Sequence, residues 1–326
     1  MEVHDMNDQL TAPDTYDAVV IGGGAAGLSA GLMLARARRA VAVIDAGQPR
    51  NAPAAAVHGL FARDGLSPAQ LLALGRTEVR SYGGRLIDAH VTAVTGTSGA
   101  FSVALADGRA LTARRVLVAT GVTDTLPDLP GLREQWGDGV IHCPYCHGWE
   151  VRDKPIGILA VGPMAVHQAL LFRQWSADVA LFTHTAAPPT PEQAEQLAAR
   201  DIPVIDGEVT AVESRDGRLT GLRLADGTLH ARDAVAVGAP MEVRADFLAP
   251  LGLTPQTHPS GMATHLPADA MGRTDVPGLY VAGNATDPTA QVGAAASAAA
   301  LAAALLNADL VTEETAQAVA ARRALV

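Results

Sequence analysis

The chain has 326 residues, long enough for two domains of ordinary size, and its 48% hydrophobic and 18% charged composition suits compact α/β layers with buried strands. A formal net charge of −10 leaves no basic footprint, so neither nucleic acid nor a membrane is expected as a partner. Two cysteines in so long a chain argue against a secreted disulfide framework and for a reducing cytoplasm.

The opening residues Met1 to Asp5 lack the basic and apolar regions of a signal peptide, and residues 1 to about 14 read as a loose tail. Tyr16 to Ile21 predicts a buried strand running into Gly22-Gly23-Gly24-Ala25-Ala26-Gly27. A helix follows with Leu28, Leu32, Met33 and Ala35 on its apolar side, then a strand from Ala40 to Ile44 that ends at Asp45. Gly22 permits the tight turn, Gly24 lets a pyrophosphate approach the backbone, and Gly27 allows close helix packing. Asp45, 18 residues beyond Gly27, is placed to accept hydrogen bonds from an adenosine ribose. A lone GxGxxG is a weak signal, but in the order strand, glycines, helix, strand, acid it predicts dinucleotide binding.

Gln48 to Pro53, His58-Gly59 and Arg63-Asp64-Gly65 form an irregular stretch, either a plain surface loop or one that reaches over the cofactor. A helix is predicted from about Ser67 to Tyr82, capped by Ser67 with Pro68 in its first turn. Strands run from Arg85 to Leu105, turn at Ala106-Asp107-Gly108, and return to end at Ala119-Thr120-Gly121.

His142-Cys143-Pro144-Tyr145-Cys146-His147-Gly148-Trp149-Glu150 holds both cysteines at CxxC spacing, with a histidine on each side. Such a pair can close a small disulfide ring on a helical turn, where a proton donor and the helix N-terminus depress one thiol. CxxCH also marks c-type haem attachment, which goes with export. A structural zinc site wants four ligands, often from two separated pairs, and there is no second CxxC. Two inert core thiols are the remaining alternative. Thiol and disulfide exchange is the favoured reading, with no metal expected.

The opening plan then recurs. Pro155 to Ala160 predicts a strand, Ala165 to Trp175 a helix, Asp178 to Phe182 a strand, and a meander turns at Ala225-Asp226-Gly227 before a strand that ends at Gly238, so the chain reads as duplicated. From about Ala245 it returns to the first domain, with a strand Leu279 to Asn284 and an Ala-rich helix opening at Gln291-Val292-Gly293. Its longest apolar run, Ala298 to Leu306, is far short of a spanning helix. Thr312 to Arg323 reads as a separate short helix, with Glu313 and Glu314 in its first turn and Arg322 and Arg323 at its end.

Gly22, Gly24 and Gly27, the Ala119-Thr120-Gly121 strand end, the CxxC and the run Gly278 to Asn284 together resemble the low-molecular-weight thioredoxin reductase family over nearly the whole chain. The resemblance implies an α/β fold of two Rossmann-like, three-layer ββα dinucleotide-binding domains. A discontinuous FAD domain would span residues 1–121 and 245–326, a second domain 122–244 would carry the CxxC, and the usual assembly is a homodimer. It implies that Gly283, Asn284, Gln291 and Val292 lie along the flavin and its ribityl chain, and that Val91 meets the adenine through its backbone. Ala26, Asn51, Ala119 and Gly121 belong to the same implied FAD site, and Asn284 stands where the family usually has aspartate.

Two departures bear on function. Where the family carries GxGxxA and a His-Arg-Arg cluster for NADPH, this chain reads Ala160-Val161-Gly162-Pro163-Met164-Ala165 and Thr183-His184-Thr185. Pro163 has no N–H to donate and no guanidinium fork stands ready for a 2′-phosphate, so a degenerate nicotinamide site is expected. After Cys146, the family's aspartate is replaced by His147. The motif CPYCHGWE, with the Arg50-Asn51 and His58-Gly59 loop, is similar to the flavin-dependent dithiol oxidases of the gliotoxin and holomycin type. That similarity implies closure of a disulfide in a small dithiol substrate through Cys143 and Cys146, with O2 as acceptor giving H2O2. Cys143 would be the outer sulfur, Cys146 would lie beneath the flavin, and His147 would act as acid and base, its ordinary pKa lying near neutrality. His142 either assists or serves packing. The alternatives are a reductase that passes electrons from NADPH or another donor to a thioredoxin-like protein, and a non-enzymatic redox sensor or thiol-binding flavoprotein.

Overall fold

A computed structural model of the chain describes residues 15–325; the tail expected over 1–14 lies outside them. The first half is built from β1 (Thr15–Ile21), α1 (Ala25–Arg36), β2 (Val41–Asp45), α2 (Pro68–Ser81), β3 (Arg85–Asp88), β4 (Val91–Thr97), β5 (Ala100–Leu105) and β6 (Ala110–Val118). β1 and β2 are Val/Ile-rich and almost wholly buried, as parallel strands covered on both faces must be. They pair in parallel with β6 and β3 in the order β3-β2-β1-β6-β5-β4. Ser67 caps α2 through a reciprocal capping box with Gln70. On α1 Leu28 and Ala35 are buried as expected, but Met33 is 39% exposed and its neighbour Leu34 is fully buried in its stead, since neighbouring helical residues point about 100° apart.

The chain leaves this sheet through β7 (Val122–Asp124) and enters a second, all-parallel sheet. Its elements are β8 (Val140–Ile141), α3 (Pro144–His147), β9 (Ile156–Leu159), α4 (Ala165–Phe172), β10 (Val179–Phe182), α5 (Pro191–Ala198) and β11 (Val204–Ile205). An antiparallel meander of β12 (Val209–Arg215), β13 (Arg218–Leu224) and β14 (Leu229–Ala231) precedes β15 (Ala234–Val237). The parallel order is β11-β10-β9-β15-β8. The duplication is imperfect. In the first half β6 runs unbroken from the meander into the parallel sheet, whereas its counterpart is split at Arg232-Asp233, where the Asp233 N–H donates to Pro155 O, leaving the meander a separate sheet. α4 ends at Phe172, short of the predicted Trp175.

β16 (Met241–Val243) returns the chain by pairing antiparallel with β7. A small hairpin of β17 (Gln256–Thr257) and β18 (Thr264–His265) follows, and then β19 (Leu279–Val281), which completes the first sheet as its seventh strand beside β6. The two Rossmann-type sheets agree with the predicted fold class.

α6 (Val292–Arg323) is one helix of 32 residues, which corrects the expectation of a separate helix from Thr312. Its alanines favour continuation and nothing after Gly293 breaks it. Among the described residues it is the one helix long and apolar enough by composition to cross a membrane, a longer element than the Ala298 to Leu306 run suggested. It lies along α1, burying Ala299, Ala303, Leu306 and Leu310. Glu313 and Glu314 sit far from its start and serve instead as partners for arginines of the sheet. Arg115 on β6, 3% exposed, reaches Asp309 and Glu313 at 2.6 Å each, and Arg114 and Arg39 reach Glu314 at 2.7 and 2.5 Å.

Candidate active site

β1 and β6 pair in parallel to their carboxyl ends, the end at which an open α/β sheet presents a crevice to a ligand. Gly22 closes β1 with φ +110°, and a Cβ there would run into the carbonyl of Ala119 at the end of β6. Gly27 lets α1 pack directly on the Gly22 carbonyl. At Gly24 a Cβ would meet no atom within 4 Å, so the backbone is open to the cavity at the start of α1. This cavity, about 680 Å³, is continuous from the glycine turn to the cysteines. Gly22, Gly24, Ala26, Asp45, Asn51, Val91, Ala119, Gly121, Asn284, Gln291 and Val292 line it, together with His142, Cys143, Cys146 and His147. Gly27 and Gly283 stand behind the lining.

Several of these side chains already have work. Asp45 accepts from the Gly47 N–H and from Arg76, each at 3.0 Å, and Arg76 also pairs with Asp88. The Asn284 amide nitrogen donates to the carbonyls of Asp287 and Ala290, at 2.9 and 2.8 Å, and so ties the turn that precedes α6. Its oxygen is the atom left for a ligand.

Cys143 precedes α3, a single turn with Pro144 in its first position. Both cysteines are free thiols. The Cys143 thiol is brought down to about 7, chiefly because the Cys146 S–H donates to it, with backbone N–H groups of Cys146 and Tyr145 and the Gln291 side chain helping against the cost of burial. Cys146 is driven up by giving that hydrogen bond, by burial and by the charge on Cys143. His142 Nδ1 must carry a proton, because it lies 3.1 Å from the Val237 carbonyl, which can only accept. Burial lowers the His142 pKa, with the Arg50 cation adding to the effect.

His147 follows Cys146, and neither of its buried ring nitrogens has a hydrogen-bond partner among the described residues. Burial lowers its pKa, opposed by Glu150, so it is neutral at pH 7 with one donor and one acceptor unused. The 48–65 loop reaches this turn. His58 lies between Asp64 and Glu150 at 3.3 and 3.4 Å, and Arg50 makes a bidentate pair with Asp124 of β7 at 2.8 and 2.6 Å. Asp124, Arg76 and Gln168 were not legible as site residues, since each lies on an element of ordinary pattern and meets its partners only in the fold. No group of three or more His, Cys, Asp or Glu among the described residues is placed to hold a metal.

The same cavity extends to the carboxyl ends of β9 and β15, neighbours in the second sheet, where Met164, Gln168, Gly238 and Met262 line it. Met262, in the loop between β17 and β18, lies over the turn that follows β9, its sulfur 3.4 Å from where a Cβ of Gly162 would stand. His184 has φ +48° and its Nδ1 accepts the Val209 N–H at 3.1 Å, so this side chain serves the fold.

The open backbone at Gly24, the continuous cavity and the unpartnered His147 nitrogens fit a dinucleotide that runs from the glycine turn to the dithiol. The family described as pyridine nucleotide-disulphide oxidoreductase matches residues 16–304. The chain is similar to thioredoxin reductase tcpT of Claviceps purpurea, 32% identical over 75% of this chain and 79% of that one. Among solved structures it is similar to HlmI, at 46% identity and TM-score 0.89 over 95% of this chain and 97% of that one. An oxidoreductase from Agrobacterium tumefaciens is 34% identical, with TM-score 0.86, over 91% and 99% of the two chains.

Proposed function

We propose, on the premise that this chain belongs to the pyridine nucleotide-disulphide oxidoreductase family and is thioredoxin reductase-like, that it is an FAD-dependent dithiol oxidase, a cytoplasmic homodimer that closes a disulfide in a small dithiol. The observation that carries this reading is Met262 lying against Gly162 in the turn after β9. With Met262 lying against Gly162, Pro163 without an N–H and His184 engaged by Val209, nicotinamide is disfavoured as electron source, which leaves the dithiol as the donor.

In the oxidising half-cycle a substrate thiol attacks Sγ of Cys143 in a Cys143–Cys146 disulfide as its thiolate, the S–S bond breaks, and Cys146, whose pKa is driven up, leaves and takes up the equivalent of the proton the substrate thiol released. The second substrate thiol gives its proton to neutral His147 and attacks the substrate sulfur of the mixed disulfide. Cys143 then departs, and its depressed pKa makes it a good leaving group. The product is a disulfide, and the Cys143 thiolate with the Cys146 S–H holds the electron pair, the second proton resting on His147. Gly22, Gly24, Asp45, Asn284 and Gln291 would hold FAD, and the chemistry that group would supply when bound is two-electron transfer from these sulfurs to O2, giving H2O2. The sum is dithiol plus O2 to disulfide plus H2O2.

A second reading, reduction of a thioredoxin-like protein, draws on Tyr145 and Trp149, which are 61% and 65% exposed beside the cysteines as a protein partner would require. One experiment separates the two. Under argon, NADPH, NADH and a small dithiol are added separately to the yellow protein, and air is then admitted. Bleaching by the dithiol alone, reversed by air with repeated peroxide formation, supports the oxidase. Bleaching by NADPH within turnover times sinks it in favour of the reductase, and a single exchange without further oxygen uptake favours a binding protein.

A further inference from the structure

In the proposed cycle His147 is neutral when it receives the second thiol proton, so its charge beforehand decides whether that step runs. Its ring nitrogens are buried and unpartnered among the described residues, so no hydrogen bond favours either form. Nearby charge is left to decide alongside burial. Three titratable groups bear on the ring, each from a different part of the fold: Glu150 from the turn after α3, His58 from the 48–65 loop and His142 just after β8. The Glu150 carboxylate favours the imidazolium, and the two histidines oppose it when they are charged. His142 is held toward its neutral form by burial and by Arg50, which leaves Glu150 and His58 as the opposed pair.

These two groups also face each other. His58 Nε2 lies 3.4 Å from a Glu150 carboxylate oxygen, and its Nδ1 lies 3.3 Å from Asp64. Both carboxylates can only accept and a neutral imidazole has one N–H to offer, so the imidazolium is the form that serves both. Asp64 is fixed in turn by the Gly59 N–H at 2.8 Å. Glu150 is fixed to the base through the backbone, its N–H donating to the His147 carbonyl at 3.2 Å. With side chains 41% and 25% exposed, Glu150 and His58 reach solvent protons without being wholly screened from the buried ring. We propose that His58 and Glu150 form a balanced charge pair that sets the protonation of His147: Glu150 supplies the negative charge that would hold a proton on the ring, and His58 cancels it as the solution turns acid. Both are positioning residues that act through His147. This rests on the dithiol oxidase reading and adds to it the control of its base.

The test reads His147 itself. The yellow protein is prepared with carbon-13 in its histidine rings, and the His147 signal, identified by its loss in His147→Asn, is followed by NMR across the histidine range of about pH 5 to 8. Wild type is compared with His58→Gln, Glu150→Gln and the double variant. The His147 midpoint is expected to rise by about 0.5 pH unit in His58→Gln, to fall by about as much in Glu150→Gln, and to return toward wild type when both charges are gone. The acid limb of dithiol-driven oxygen uptake should move in the same directions. A purely structural role predicts a different pattern, because either single variant breaks the same contact between loop and turn, and water let in to the ring would raise both midpoints. Glu150→Gln is therefore decisive by itself, since charge and loosening give it opposite signs. Midpoints that rise together or stay unmoved overturn the inference while the oxidase reading stands. Opposite shifts in a yellow protein that no dithiol drives to consume oxygen support the charge pair and overturn the oxidase reading.

Discussion

At the scale of single residues the chemistry turns on which of two cysteines is the thiolate. The leading cause of the low Cys143 pKa is the Cys146 S–H, so Cys146→Ala is expected to raise it from about 7 toward the ordinary thiol range. The rate of Cys143 alkylation by iodoacetamide against pH checks this, and an unmoved midpoint would assign the effect to the backbone N–H groups instead. His147→Asn removes a base without adding charge. Under the proposed function dithiol-driven oxygen uptake should fall by about 10²- to 10⁴-fold while the protein stays yellow. For His147, whose pKa burial lowers, activity in the wild type should be lost only as pH falls below the ordinary histidine value of 6.5, because the neutral ring is the acceptor. The spacing of the CxxC and its flanking histidines was legible in the sequence. Which ring nitrogens lack partners was not, because that depends on what α4, β15 and the 48–65 loop bring near them.

At the scale of elements, α6 shows how pattern reading runs out. The charged cluster at Glu313-Glu314 resembles a helix start, yet these carboxylates are drawn to Arg39 in the turn after α1 and to Arg114 and Arg115 of β6, contacts that no local pattern contains. Replacing Asp309 and Glu313 together by Ala would leave the buried Arg115 guanidinium without its carboxylates and should cost about 3–5 kcal/mol in urea unfolding. A loss below about 1 kcal/mol would mean the cation finds water. Both Glu313 and Glu314 are held below the usual carboxylate value of 4.5, Glu314 at about 2. Groups depressed in this way contribute stability fully above 4.5 and lose it as pH falls through their folded values, so acid unfolding should begin between pH 4.5 and 2. By contrast, α2 was legible almost to the residue, because Ser67, Pro68 and Gln70 carry its start within four positions.

At the scale of the whole molecule, the 48–65 loop is held to β7, the strand through which the chain passes from one sheet to the other, by the Arg50–Asp124 pair. Arg50→Ala would leave Asp124, whose side chain is 7% exposed, without its partner. Tryptic cleavage after the exposed Arg63 should then speed up about tenfold; an unchanged rate would show that His58 and its carboxylates hold the loop alone. The sequence by itself determined what is local: the glycine turn and the acid after β2, the CxxC with its histidines, and the alternation of strands and helices that makes two parallel sheets. Each depends on backbone conformations and spacings contained in a few consecutive residues. Only the tertiary structure decided that Met262 lies over Gly162, that Gln168 donates to the His142 carbonyl, and that Asp45 shares its carboxylate with Arg76. Those are meetings of side chains from elements far apart in the chain, set by how the sheets, the hairpin and the helices come together, and no spacing in the sequence encodes them.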